Sequence, residues 1–189
     1  MIIALKKGET VSLEKLAPDL KTALIGLRWD PNPDRTTKFD LDVSVFLLGE
    51  NRRLINKKHL IFYNNLSSPD PHNSVKLIKD NRTGEGEGDD EIIKIDFTKI
   101  DPNIARIALC VTIHDAEKSS LDFGQINNAH IRLVNLETEE EVLRYDLAED
   151  FSLETAIIIA EFYRKDGWNI YALGSPYQGG LKGLLKYYQ

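Results

Sequence analysis

An antiparallel β-sandwich with a short C-terminal helix is the fold that this sequence predicts. Three observations carry the expectation. Phe39-Asp40-Leu41-Asp42-Val43-Ser44-Val45 alternates apolar and polar residues strictly, the mark of a half-buried strand. Roughly eight to ten short β-prone runs follow one another along the chain, separated by turn residues. A helical period is clear in one place, the tail from Gly179 to Gln189, where Leu181, Leu184, Leu185 and Tyr188 fall on one face.

Taken in order, Ala23 to Trp29 is a short apolar segment stopped by the breaker run Asp30-Pro31-Asn32-Pro33-Asp34. The alternating run around Asp40 and Asp42 comes next. Leu60 to Tyr63 is β-prone and ends at Asn64-Asn65, and Val75 to Ile78 leads into an acidic loop. Beyond that loop, Ile93, Ile95 and Phe97 alternate with Lys94 and Asp96. Ile104 to Ile113 is rich in β-branched residues and reads as a buried strand. Ala129 to Leu133 and Val142 to Leu147, separated by Glu137-Thr138-Glu139-Glu140, form a hairpin or neighbouring strands. Thr155 to Tyr163 has a length that suits a helix, but Ile157-Ile158-Ile159 favours a strand. Asp166-Gly167 then offers a tight hairpin turn into Trp168 to Leu173. No fixed-period repeat and no long linker divides the chain, so residues 1–189 are expected to form one domain.

The chain has 189 residues, is 42% hydrophobic and 29% charged, and carries a net charge of −6. That balance argues against nucleic-acid binding, which leaves a basic footprint. A single cysteine, Cys110, excludes an intramolecular disulfide and a thiolate-rich zinc site. It sits in the apolar run Ile107-Ala108-Leu109-Cys110-Val111 and reads as a small buried hydrophobe. The apolar start of the chain is too short for a signal-peptide core, and no run approaches the ~20 residues of a membrane span. A cytoplasmic protein is expected.

Residues Asp80 to Glu91, DNRTGEGEGDDE, gather six carboxylates and three glycines around one arginine. Two like charges ~5 Å apart repel by roughly 3 kcal/mol at an effective dielectric of 20, so such a loop calls for a hard cation. Ca²⁺ takes oxygen ligands from Asp, Glu, Asn and backbone carbonyls, and the glycines let the chain turn tightly. The loop has twelve residues from Asp to Glu, as in an EF-hand, but Arg82 and Gly84 stand where ligands belong and Glu85 where Gly is required. One copy of a Gly-rich calcium nonapeptide is partly matched from Gly86 to Ile92, yet that architecture needs tandem copies. Asp40 and Asp42 project from one face of their strand, roughly 7 Å apart, and clamp a cation if the acidic loop lies beside them. The four histidines, 59, 72, 114 and 130, show no metal-ligand spacing. No P-loop or Gly-x-Ser-x-Gly elbow occurs.

Several segments together resemble the TerD family of tellurite-resistance and stress-response proteins. They include Leu27-Arg28-Trp29-Asp30, Phe39-Asp40-Leu41-Asp42, Phe62-Tyr63-Asn64-Asn65-Leu66, Asp80 to Gly86 and Gly88-Asp89-Asp90-Glu91. Phe123-Gly124-Gln125, Ala129-His130-Ile131-Arg132, Arg144-Tyr145-Asp146-Leu147, Glu154-Thr155-Ala156 and Gly180-Leu181-Lys182-Gly183-Leu184 continue the match. The resemblance implies a β-sandwich binding two Ca²⁺ ions on one rim, with no established enzyme activity. It implies a calcium neighbourhood of Asp40, Asp42, Asn65, Asp80, Asn81, Thr83, Gly88, Asp89, Asp90 and Glu91. It also implies a cytoplasmic adaptor in a bacterial stress response to tellurite, phage or colicin, partnered by other tellurite-resistance proteins, some embedded in the membrane. A calcium-dependent enzyme acting on a phosphate-containing or other anionic substrate is the alternative. Two positions depart from the family pattern: Lys79 replaces a usual Gly before Asp80-Asn81, and Asp70-Pro71-His72-Asn73-Ser74 replaces a usual Asp-Gly turn.

Overall fold

In the computed structural model, described over residues 2–32, 38–147 and 153–189, short β-prone runs pair into two six-stranded sheets. The first contains β1 (Ile3–Ala4), β3 (Thr22–Arg28), β6 (Val75–Lys79), β7 (Glu91–Asp96), β9 (His130–Asn135) and β10 (Glu140–Asp146), in the order β1-β10-β9-β3-β7-β6. The second contains β2 (Thr10–Ser12), β4 (Leu41–Leu48), β5 (Leu60–Ile61), β8 (Arg106–Ile113), β11 (Ala156–Arg164) and β12 (Trp168–Tyr177), in the order β2-β12-β11-β8-β4-β5. Every pairing is antiparallel except that of β1 with β10. The expected sandwich is the observed one. Pro33 and Asp34, at the end of the expected breaker run, lie outside the described residues.

Local chemistry explains the joints. Asp166 and Gly167 both take positive φ, 50° and 98°, the backbone of a tight hairpin between β11 and β12. The Ile157-Ile158-Ile159 run is strand throughout: β-branched side chains fit the pleated surface between β8 and β12. Asp70 shapes the turn before β6, its carboxylate accepting from the His72 and Ser74 amides at 3.0 and 3.1 Å. β1, β2 and two single helical turns, α1 (Leu13–Leu16) and α2 (Ala116–Ser119), were not visible in the sequence pattern, because two to four residues cannot display a period.

The inter-sheet core takes Ile25, Leu27, Val43, Val45, Ile93, Ile95, Val111, Leu133 and Ile157, among others. A second cluster lies on the outer face of the second sheet. There α3 (Gly180–Tyr188) sets Leu184 and Tyr188 against Phe46, Leu48, Ala108 and Cys110. This corrects the half-buried expectation for β4, whose eight residues are all buried. Leu41, Val43, Val45 and Leu47 face the other sheet, while Phe46 and Leu48 are covered by the helix. Cys110, fully buried under α3, has its thiol pKa pushed up by burial.

A candidate metal centre on the sandwich rim

At one rim, β3 ends, β4 and β7 begin, and the β6–β7 loop of the first sheet brings Asp80 to the start of β4. Leu27 of β3 pairs with Glu91 of β7, which sets the start of β7 at the edge of the core. Glu91, like Ile93 and Ile95, points inward and is 1% exposed. Its Oε2 accepts the Val43 amide of β4, tying the two sheets together. Asp42 stands next to Val43 and is buried, and Asp80, at the end of β6, is exposed. Carboxylate oxygens of Asp42, Asp80 and Glu91 all lie within 4.8 Å of one another.

Three carboxylates so close disfavour ionisation. Burial pushes the Glu91 pKa up to about 10, and the charges of Asp42 and Asp80 add to the shift. Burial likewise raises Asp42 to about 6, although a hydrogen bond from His114 opposes it. Burial raises Asp40 too, with the nearby Asp80 charge adding to it. Glu91 Oε1 and Asp40 Oδ1 are buried and have no hydrogen-bond donor. Hard carboxylate oxygens held together, with Glu91 Oε1 and Asp40 Oδ1 left without donors, fit the ligand preference of Ca²⁺, which takes such oxygens in flexible geometry. Asp42, Asp80 and Glu91 would hold the ion, with Asp40 adjoining, and the ion would supply the positive charge that the cluster lacks.

The other sequence-predicted residues are placed differently. Asp90 is buried and holds the loop: Oδ2 accepts from the Trp29 amide at 3.2 Å and Oδ1 from Asn81 Nδ2 at 2.8 Å. Asn81 Oδ1 accepts from the Thr83 amide at 3.0 Å and its hydroxyl at 3.1 Å, and Thr83 Oγ1 accepts from the Glu85 amide. Gly84, at φ 69°, lies on the Trp29 indole, where an added Cβ would come within 2.6 Å of Nε1. The Gly88 carbonyl accepts from Arg28 at 2.9 Å. Asp89 turns to the outer face of the first sheet and forms a two-pronged ion pair with Arg132, at 2.8 and 2.9 Å. The Asn65 amide donates to the carbonyls of Lys58 and Leu60 at 3.1 and 2.6 Å, within the turn after β5. Lys79, the departure from the family pattern, donates to the Asp89 carbonyl.

His114 had no recognisable spacing in the sequence, yet its Nδ1 lies 2.9 Å from Asp42 Oδ2. Burial opposes its charge, but the bond to Asp42 and the fields of Asp42 and Asp40 outweigh it and raise its pKa. The Tyr63 ring packs edge-on against the imidazole at 5.2 Å. Only the register of β4 against β8, which carries the chain past Ile113 opposite Leu41, brings His114 to this rim.

Fold and site together define a two-sheet β-sandwich whose rim holds a partly buried acidic cluster. The TerD domain model matches residues 1–188, and the chain belongs to the TerD family. It is 50% identical over 183 residues to general stress protein 16U of Bacillus subtilis, covering 96% of this chain and 94% of the relative. It is 47% identical over 189 residues to tellurium resistance protein TerD of Serratia marcescens, covering 100% and 97%. A crystal structure of a Streptomyces coelicolor homologue of telluride resistance protein TerD shares the fold, with a TM-score of 0.69 at 22% identity over 86% of this chain and 94% of that one. Among the described residues, no helix is long and apolar enough to cross a membrane.

Proposed function

We propose that residues 1–189 act as one calcium-binding, non-catalytic unit in a bacterial response to tellurite or chemical stress. The cluster of Asp42, Asp80 and Glu91, with the donorless Glu91 Oε1 in it and Asp40 Oδ1 as a second donorless buried oxygen, carries the calcium reading. Near-full-length likeness to proteins named for tellurium resistance and general stress supports the physiological setting. Calcium offsets the repulsion in the cluster and locks the β6–β7 loop onto the start of β4. The locked rim then serves as a docking surface for other tellurite-resistance proteins, including ones held in the membrane, with the protein itself in the cytoplasm.

Calorimetric titration of chelator-stripped protein tests the proposal. Saturable calcium binding with a higher melting temperature is expected; free ion at 100 times its Kd adds about 2.7 kcal/mol of stability. A silent titration overturns it. The same stoichiometry decides between one ion at the triad and the two that family resemblance implies.

The enzyme alternative rests on one feature, the His114–Asp42 pair beside a cavity of about 240 Å³ that also reaches Tyr63 and Thr155. Turnover of a phosphoester that needs calcium and is lost in His114→Gln would favour it.

A further inference from the structure

The outer face of the first sheet carries a basic cleft on the same rim. Cross-strand register builds it: Arg28 pairs with His130 and His130 with Asp146, while Arg144 stands opposite Arg132 in the next row. Paired residues share a face of the sheet. The segment after β1 adds Lys6 and Lys7 along one wall. The resulting cleft has a volume of about 740 Å³, within the range of small-molecule sites.

Its charge is out of keeping with the rest of the molecule. The chain carries −6 overall, but the cleft is lined by Lys6, Lys7, Arg28 and Arg144 against the carboxylates Asp30 and Asp146. Among the described residues, Lys6, Lys7 and Arg28 form no ion pair. Arg144 engages Asp146 through Nε at 3.1 Å, and among the described residues neither of its terminal guanidinium nitrogens has a hydrogen-bond partner. Arg28 uses one terminal nitrogen on the Gly88 carbonyl. Asp30 accepts from Asn128 Nδ2. His130 donates Nδ1–H to the Asn128 carbonyl at 3.1 Å, which leaves Nε2 as an acceptor. The floor is apolar, formed by the buried residues Leu5 and Ala129.

We propose that this cleft binds a small phosphate-bearing molecule. Two guanidinium groups offer paired N–H donors that match a tetrahedral oxyanion, and two lysines add mobile positive charge. A bare phosphate fills little of the volume, so the organic body of a phosphomonoester rests on the apolar floor, where His130 Nε2 accepts from a hydroxyl. The site is separate from the acidic cluster: Glu91 points into the sandwich, whereas Arg28 and Arg144 point out of it. It does not depend on the calcium reading.

The test is calorimetric titration of protein stripped with chelator and then dialysed, so that no calcium can hold the probe, with inorganic phosphate and, separately, with adenosine monophosphate. Both should bind, the nucleotide more tightly, with affinity falling as salt is raised. Each charge-assisted hydrogen bond lost should weaken binding by about tenfold. Lys6→Gln with Lys7→Gln changes exposed side chains only and should preserve the melting temperature while weakening both probes; Arg144→Gln should do the same. Binding of phosphate alone, with no gain from the nucleotide, overturns the organic-body assignment. No binding of either probe, or wild-type affinity in the lysine double variant, overturns the site.

Discussion

Replacing Glu91 with glutamine keeps the shape of the side chain and removes its titration. The Glu91 carboxyl is raised from 4.5 to about 10 by burial and by its acidic neighbours. Below pH 4.5 the folded and unfolded chains both hold the proton, and the site costs nothing. Above it the unfolded chain releases a proton that the folded chain keeps, so stability falls as pH rises, until the folded carboxyl ionises near pH 10. At pH 7, about 2.5 pH units above 4.5, the loss is about 3 kcal/mol in metal-free protein. Glutamine still presents an oxygen to the Val43 amide. Urea unfolding in chelator should therefore show Glu91→Gln more stable than the parent by about 2–3 kcal/mol at pH 7, with the gain vanishing near pH 4.5. The same variant should lose most of the stabilisation that calcium gives the parent. A Glu91→Gln protein no more stable than the parent in chelator at pH 7 would show that the buried carboxyl carries no such cost, and one stabilised by calcium as the parent is would show that Glu91 is not a ligand.

Asp89→Asn should lower stability by about 1–2 kcal/mol through its weakened hold on Arg132, a residue a third exposed, while the heat of calcium binding stays at the parent value. Gly84→Ala forces a side chain into positive φ and against the Trp29 indole, so unfolding experiments should show a loss of about 1–3 kcal/mol, with a shift in Trp29 fluorescence. The Tyr188 hydroxyl is buried under α3 without a partner, and Tyr188→Phe should raise stability by about 1 kcal/mol in urea titrations. Calcium must displace the proton of Glu91, whose carboxyl is pushed up to about 10, and below about pH 6 that of Asp42 as well, so the measured affinity should weaken as pH falls and more steeply from pH 6 to pH 5.

The sandwich was legible because its long strands carry a period of two and its turns carry Asp-Gly and Asn chemistry. The double burial of β4 was not: Phe46 and Leu48 read as an ordinary apolar run until α3 is seen lying on them. At the rim, the excess of carboxylates announced a cation, but spacing alone does not tell a ligand from a brace. Asp89, Asp90 and Glu91 are consecutive, yet one faces Arg132, one the Trp29 amide, and one the core. Glu91 opens β7 and follows its pleat into the core, whereas Asp89 and Asp90 lie in the loop before it, where no strand period sets direction and the partner at hand decides the role. His114 escaped notice for a related reason, since its proximity to Asp42 comes from pairing between distant strands. The basic cleft is likewise assembled from β1, β3, β9 and β10, and no contiguous segment looks basic enough to signal it.

The proposed calcium ion sits between the sheets, held by Asp42, Asp80 and Glu91. A crystal structure of the calcium-soaked protein tests this placement most directly. An ion at about 2.3–2.6 Å from a carboxylate oxygen of each of the three residues is the predicted result. An empty triad, or an ion bound by the loop through Asp89 and Asp90 and out of reach of Glu91, would rule out calcium at this triad.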